Sequence, residues 1–430
     1  MKKNNFEAGD LIEINFSKIS YQGTFIDSPV DEKGIILLRL NSGYIIGFNK
    51  KDISSINLLR KNKIKNLISN EKKSELDNTK PGIALIITGG TIGSKFDKET
   101  GAVKPIENIQ EFLEIYPEVF NSVNIIRIES PFMKLSEDMG SKDWKKIAKT
   151  CINLLNDKNV KGIIITHGTD TLHYTSSALS LFIRDINKPI VLTYSQKSID
   201  RGSSDAYLNM KCALNAALSD IAGVILVGHA SSNDDFCYGF LGTKVRKLHT
   251  SKRDAFKSVN ISPLLKIYPD RVEKIFEYKK RNSLKPKIDD SFEEKVALLK
   301  IYPNQDPEIL NYYLKKGYKG IILEMTGLGH CPGKNSENSW INILKEVQKK
   351  GMIICGVSQC IFGKVDPFVY STGREILKTG VIYLEDMLSE TALVKLGWVL
   401  GHKEWIKDKK IIKEKMLENF AGEINKNLKE

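Results

Sequence analysis

From residue 82 onward, short continuous apolar runs alternate with segments of helical periodicity. The runs are Ile83 to Ile87, Gly162 to Thr166, Pro189 to Thr193 and Gly223 to Val227, with Val123 to Ile128, interrupted by Asn124 and Arg127, as a further strand after the first. A strand that is apolar along its whole length must be buried on both faces, which only helices on either side of a sheet provide. The helices are legible too. Trp144, Ile147, Ala148, Cys151, Leu154 and Leu155 fall on one face of a helix over 138–155, and Ala206, Met210, Ala213, Leu214, Ala217 and Leu218 repeat at helical spacing. Several βα units in series predict a parallel sheet covered on both sides.

Shorter elements flank this core. Leu11 to Phe16 alternates apolar and polar residues, as a half-buried strand does. Tyr21 to Ile26 reads as a second strand, and Ile35–Leu40 with Tyr44–Phe48 as a hairpin around Asn41-Ser42-Gly43. Together they predict a small β-barrel over residues 1–60, suited to binding RNA or to serving as a docking or spacer module. Residues 61–80 are polar and charged, a solvated linker or short exposed helix ending at Pro81-Gly82. Residues 81–287 form a first α/β domain whose end, after Pro263, is charged and irregular. Residues 288–430 form a second, with strands Val296–Ile301, Gly320–Leu323 and Met352–Gly356 and helices near 306–316, 337–350 and 389–400. The basic tail 402–430 reads as a solvated helical face or a partner-docking surface.

Composition narrows the classes of function. With 430 residues, 41% hydrophobic and 27% charged, the chain can bury several cores, and no apolar run nears the ~20 residues that span a bilayer. Met1-Lys2-Lys3 is basic but no apolar segment follows it. Cys151, Cys212, Cys237, Cys331, Cys355 and Cys360 show no CxxC pairing, so neither a zinc site nor a disulfide framework is indicated, and a reducing, cytoplasmic compartment is expected. The net charge of +13 fits RNA as a partner and fits a lysine-rich proteome equally well.

Two hydroxyl-bearing turns carry the chemistry. Thr166-His167-Gly168-Thr169-Asp170-Thr171 joins a buried strand to a helix with Leu172, Ser176, Leu179 and Ile183 on one face. Taken alone, Thr-Asp-Thr at a helix start more often caps than catalyses. The second turn, Thr88-Gly89-Gly90-Thr91-Ile92-Gly93, follows the first buried strand; it is neither Gly-x-Gly-x-x-Gly nor a P-loop. Both turns lie at the carboxyl edge of what should be one sheet, where open α/β sheets bind their ligands. That gathers Thr91, Thr169 and Asp170 around one crevice. A hydroxyl needs a base to become a nucleophile, and His167, His173, Asp170 or a lysine are within reach of the pattern.

The pair of turns resembles the double signature of the type I/II L-asparaginases. The likeness extends through Ser136-Glu137-Asp138-Met139, Asp200 to Ala206, Arg246-Lys247-Leu248-His249-Thr250-Ser251, Gly327 to His330 and the segment from Ser358-Gln359-Cys360 to Ser371-Thr372-Gly373-Arg374-Glu375. With the N-terminal β module, it looks like one branch of that family, the D subunits of archaeal-type glutamyl-tRNA(Gln) amidotransferases. The resemblance implies a threonine nucleophile, Thr91, attacking a side-chain carboxamide. It implies that Thr169, Asp170 and Lys247 lie across the site, with Lys247 as base, and that Ser136 and Glu137 bind the amino and carboxylate groups of the substrate. It further implies a homodimer, a tRNA-binding E subunit in a heterodimer or heterotetramer, and Glu-tRNA(Gln). No cofactor or metal is implied in this chain; ATP and magnesium are used by the complex on the partner.

Read without the resemblance, Ser136-Glu137 is a helix cap for 138–155, and Lys247 is one of a basic run with Lys244, Arg246, Lys252 and Arg253 that forms a solvated loop or an RNA-facing patch. Two departures from the family pattern stand out. There is no tyrosine between Ser94 and Lys104, leaving Thr100 as the stand-in for a loop tyrosine, and Thr193-Tyr194-Ser195-Gln196-Lys197 replaces Thr-Gly-Ala-Gln-Arg. A free-standing L-asparaginase and an RNA-binding protein on a degenerate scaffold are the competing functions.

Overall fold

The computed structural model describes residues 6–7, 9–26, 34–40, 45–61, 77–96, 103–105, 116–199 and 203–425. At the N-terminus, β1 (Leu11–Asn15), β2 (Ser20–Ile26), β3 (Ile35–Arg39), β4 (Ile45–Asn49) and β5 (Ser55–Arg60) form one antiparallel sheet in the order β4-β3-β2-β1-β5. Its core is Ile12, Ile14, Ile36 and Leu38, the inward positions of a period-two pattern. The turn Asn41-Ser42-Gly43 and residues 62–76 of the predicted linker lie outside the described residues. β5 was not legible, because Leu58 and Leu59 are both exposed and break the alternation; it forms on the free edge of β1, where Ile56 pairs with Ile14. The module is tied to the rest of the chain by Thr24, whose hydroxyl donates to Glu118 at 3.2 Å, and by the buried Arg39 stacked over Tyr207 at 4.9 Å.

The large sheet runs from β6 (Gly82–Ile87) through β7 (Asn124–Glu129), β8 (Gly162–Thr166), β9 (Pro189–Thr193), β10 (Gly223–His229), β11 (Cys237–Leu241), β12 (Leu265–Ile267) and β13 (Val272–Lys274). Its spatial order is β13-β12-β11-β10-β9-β8-β6-β7. The five strands β7, β6, β8, β9 and β10 are parallel, as the apolar runs predicted. The last three are antiparallel, so the stretch after Pro263 extends the sheet where sequence suggested irregular chain. Three-residue strands carry too little period to be read in advance.

Along the parallel strands, chain order reverses between β6 and β8. That is the topological switch point, where the connections leave in opposite directions and open a crevice at the carboxyl ends. Around the sheet lie α1 (Ser141–Leu155), α2 (Leu172–Phe182) and α3 (Ala206–Leu218), and every residue predicted for the inner face of α1 is buried.

The second sheet is parallel and in chain order: β14 (Val296–Lys300), β15 (Gly320–Met325), β16 (Ile353–Ser358) and β17 (Ile382–Tyr383). Its helices are α4 (Ile309–Lys315), α5 (Ile341–Lys349), α6 (Ser371–Leu377), α7 (Ser389–Leu400) and α8 (Lys409–Leu417). α7 packs against α2, which is why α2 is buried almost all round rather than along one stripe. Among the described residues no helix is long and apolar enough to cross a membrane.

The tail carries the solvated helical face expected of it, with Lys409, Lys410 and Lys413 exposed, and also buries a second face. Ile412, Met416, Glu423 and Ile424 are buried against the chain's own core, and Glu423 accepts from Lys395 at 2.6 Å with neither side chain exposed. A hydrophilic composition concealed this, because the carboxylate is neutralised in place. Removing one partner of such a pair strands a buried charge. Glu423→Ala is therefore expected to lower unfolding free energy by about 3–5 kcal/mol in urea titrations, and Lys395→Met with Glu423→Leu to recover most of it.

Candidate active site

The two predicted turns meet at the switch point, and glycines make the meeting possible. Gly89 and Gly90 adopt φ of +115° and +82°, which side chains resist. A Cβ on Gly90 would lie 2.3 Å from the amide nitrogen of Gly168, and one on Gly168 would lie 2.8 Å from Oγ of Ser136. Backbone therefore touches backbone. The Thr88 hydroxyl donates to the Thr166 carbonyl at 2.7 Å, and the Lys134 amide donates to the Thr88 carbonyl at 3.0 Å. Thr91 and Thr169 each follow one of the two glycines in contact, and both are partly buried.

Lys247 closes the crevice from a short ribbon, Val245–Lys247 paired with Phe256–Ser258. Its Nζ lies 2.7 Å from Oγ1 of Thr169 and 2.6 Å from Oδ1 of Asp170, and the Thr169 hydroxyl donates to the same carboxylate at 3.3 Å. The lysine side chain is only 11% exposed while Asp170 is 60% exposed, so the amine sits inside and the carboxylate at the rim. Ser136 is buried beneath them: its Oγ accepts from the Asp170 amide at 3.2 Å, and its carbonyl accepts from the Thr171 hydroxyl at 2.5 Å. Glu137, beside it, is exposed.

The hydrogen bond from Lys247 holds the Asp170 carboxyl below the usual aspartate range, against a smaller opposing effect of burial. Burial depresses His167 to about 4 and His173 to about 3. Both imidazoles are therefore neutral at physiological pH. His167 bonds the Gly168 carbonyl at 2.7 Å and the Thr175 hydroxyl at 2.9 Å, a fixed element of the turn. Neither imidazole reaches Thr169, whose hydroxyl is in contact with Lys247 and Asp170.

Three readings made without the family likeness are corrected here. Ser136-Glu137 does not cap α1, which begins at Ser141 after Gly140 and is capped by Asp143 accepting from the Gly140 amide at 3.1 Å. The basic run is neither a solvated loop nor an RNA-facing patch at Lys244, Arg246 or Arg253. Lys244 is fully buried against Asp386 at 2.6 Å, Arg246 pairs with Glu390 at 2.9 Å and Arg253 with Asp234 at 2.8 Å. Thr171 rather than Thr169 begins the turn into α2, so Thr169 and Asp170 are spared for Lys247. Thr100 lies outside the described residues.

Residues 82–280 match the family described as Asparaginase, N-terminal, residues 295–416 the Glutaminase/Asparaginase C-terminal domain, and residues 6–59 the GatD N-terminal domain. The glutamyl-tRNA(Gln) amidotransferase D subunit of Pyrococcus furiosus is 42% identical over 431 residues, covering 99% of this chain and 96% of that one. The D subunit of Methanothermobacter thermautotrophicus is 40% identical, covering 98% and 94%. This chain belongs to the D-subunit family of glutamyl-tRNA(Gln) amidotransferases. Among solved structures, the thermostable L-asparaginase from Thermococcus kodakarensis superposes with a TM-score of 0.70 at 30% identity, covering 80% of this chain and 100% of its own. L-asparaginase I from Vibrio cholerae gives 0.69 at 28%. The asparaginases leave unmatched a fifth of this chain that the amidotransferase relatives match.

Within this member of the D-subunit family, sequence marked Tyr194 as a departure from the family pattern but missed the distant groups that hold Lys247 in place. Tyr194, at the position that departs from the family pattern, is buried with its ring 4.6 Å from that of Phe256, which pairs across the ribbon with Lys247. Its hydroxyl donates to the Arg253 carbonyl at 2.8 Å, and Gly228 leaves the space its ring fills. Asp386 and Glu390 lie far along the chain from Lys247, so no local signal points to them. Because both imidazoles stay neutral above about pH 5, amide hydrolysis is expected to show no inflection near pH 6.5 that His173→Asn removes. An aspartate with a depressed pKa contributes stability that is present above its unfolded value and lost as pH falls through its folded one. The Lys247–Asp170 pair should therefore persist through neutral pH and fail only below the ordinary aspartate range. Initial rates from pH 4 to 8 check the first statement, and melting temperatures from about pH 2 to 5, compared with Asp170→Asn, check the second.

Proposed function

We propose that this chain is the amide-hydrolysing subunit of a tRNA-dependent amidotransferase, releasing ammonia from glutamine or asparagine for the conversion of Glu-tRNA(Gln) to Gln-tRNA(Gln). The observation that carries this reading is Lys247 in contact with both Thr169 and Asp170 beside the Thr91 turn, on a chain that aligns with its amidotransferase relatives from end to end. Thr91 Oγ attacks the side-chain carboxamide carbon, forming a C–O bond as the C–N bond breaks. The threonine proton passes to the basic set, which returns one to the departing ammonia. Water, positioned by Thr169, then adds to the acyl carbon, and its proton passes through the Lys247–Asp170 set to Thr91 Oγ as the acyl C–O bond breaks, freeing the acid and restoring the threonine. Asp170 orients the lysine. Turn amides face the tetrahedral oxyanion, a kind of contact worth ~10²–10³ in rate for each donor. Ser136 and Glu137 bind the amino and carboxylate groups of the substrate, and Ser136 also holds the second turn by accepting from the Asp170 amide.

ATP, magnesium and most of the tRNA contact are assigned to the E subunit partner, in a heterodimer or heterotetramer in the cytoplasm. Self-association is supported by exposed apolar side chains on the loops after β14 and β16. Tyr302, Phe362, Phe368, Val369 and Tyr370 are each more than half exposed, which is unusual for a surface without a partner. Replacing Phe362, Phe368 and Tyr370 by serine is expected to halve the mass seen by light scattering.

The structural likeness to L-asparaginases favours one alternative, a free-standing asparaginase. Ammonia release separates the two. The chain alone should hydrolyse glutamine or asparagine weakly and rise with the E subunit, Glu-tRNA(Gln) and ATP; rapid asparagine hydrolysis indifferent to all three would establish the alternative. Thr169→Val and Lys247→Met are each expected to cost ~10²–10⁴ in rate with melting temperature preserved, and full activity in both would remove the proposed site.

A further inference from the structure

A cleft of about 590 Å³ opens on the second α/β unit, at the amino-terminal ends of β16 and β17, and none of the candidate site residues lines it. Lys345 and Lys349 of α5, Lys378 just after α6, and Lys409, Lys410 and Lys413 of α8 form its walls, and no acidic side chain lines it. All six are exposed. Among the described residues none of them forms an ion pair, and only Lys409 has a hydrogen-bond partner for its amine, the Gln348 carbonyl. Lysines on the same helices that lie outside the cleft do pair, Lys350 with Glu346 at 2.6 Å and Lys415 with Glu418 at 2.7 Å.

Helix stability accounts for only part of this arrangement. Lys349 and Lys378 lie at helix carboxyl ends, where cations are favoured, but Lys409 and Lys410 are the first residues of α8 and face its positive end. Asp408 caps α8 by accepting from the Lys410 amide at 2.8 Å, but it does not line the cleft, so the amines gathered there face one another with no carboxylate among the lining residues, an arrangement that calls for an anion. Lysine is a point charge without the fork geometry that fixes a single phosphate, and six of them spread over three helices suit a run of phosphates instead.

We propose that this cleft binds RNA phosphate backbone, giving this chain its own contact with the tRNA of the reaction; RNA as the occupant rests on the tRNA-dependent reading above. The full-length chain is titrated against fluorescein-labelled tRNA by anisotropy over a range of potassium chloride, beside the variant Lys345→Ser/Lys410→Ser/Lys413→Ser. The variant is expected to bind at least about tenfold more weakly near 100 mM salt, with a log–log salt slope shallower by about two to three. Its glutamine hydrolysis and melting temperature should be unchanged, and the matching Lys→Arg variant should keep RNA affinity. Wild-type affinity and slope in the serine variant would overturn the proposal. So would variant-sensitive binding of inorganic tripolyphosphate with tRNA binding intact, or loss only of E-subunit binding, which would mark an acidic protein surface as the occupant. Glutamine hydrolysis indifferent to partner and tRNA would sink the amidotransferase reading alone, since the RNA titration is read separately.

Discussion

Lys247 reaches Thr169 because its neighbours on the ribbon are held by the second α/β unit. Lys244 is buried against Asp386, whose carboxylate also accepts from the Asn425 amide at 2.9 Å and side chain at 2.8 Å, and Arg246 pairs with Glu390 at the start of α7. The Thr391 hydroxyl donates to the Thr243 carbonyl at 3.0 Å, adding a neutral tie beside the charged ones. Buried ion pairs are poor sources of net stability, since desolvation cancels much of the attraction. They are exacting about geometry, however, because a misplaced partner leaves a bare charge. The amine that meets Thr169 is thereby positioned by residues that lie more than a hundred positions away in sequence.

The opposite wall of the crevice is built by close packing rather than by charge. β6 and β8 are adjacent and parallel, so the turns that follow them emerge side by side. They touch only because Gly90 and Gly168 have no side chains to hold them apart, and Ser136 fits under Gly168 for the same reason. One side of the site is thus a backbone contact with no room to adjust. The other side is a lysine on a ribbon, braced by Tyr194 and Phe256 beneath and by ion pairs behind. A rigid floor facing a clamped lysine suits a reaction in which a proton must move between groups fixed at hydrogen-bond distance.

The N-terminal module and the tail are part of the same body. Thr24 and Arg39 meet Glu118 and Tyr207, the latter in the first turn of α3, while Glu423 and Asn425 neutralise or bond groups in the two α/β units. The exposed lysines of α8 lie on the outer side of a helix whose inner side is core. One segment therefore serves stability and presents a charged wall at once.

Periodicity and turn chemistry alone determined the parallel strands, the inner face of α1 and the two threonine turns, because burial on both faces forces uninterrupted apolar runs and close backbone approach demands glycine. The family likeness drew Lys247 and Ser136 to those turns. Sequence could not order the strands, so it could not show that the switch point falls between β6 and β8. Nor could it show that Lys244 and Arg246, beside Lys247, are paired, since Asp386 and Glu390 are distant in the chain and charged residues read as solvated until their partners are known. Tertiary structure decided those points. Local pattern records which face a residue turns to the core, while electrostatic pairing and strand order depend on which distant segment arrives there.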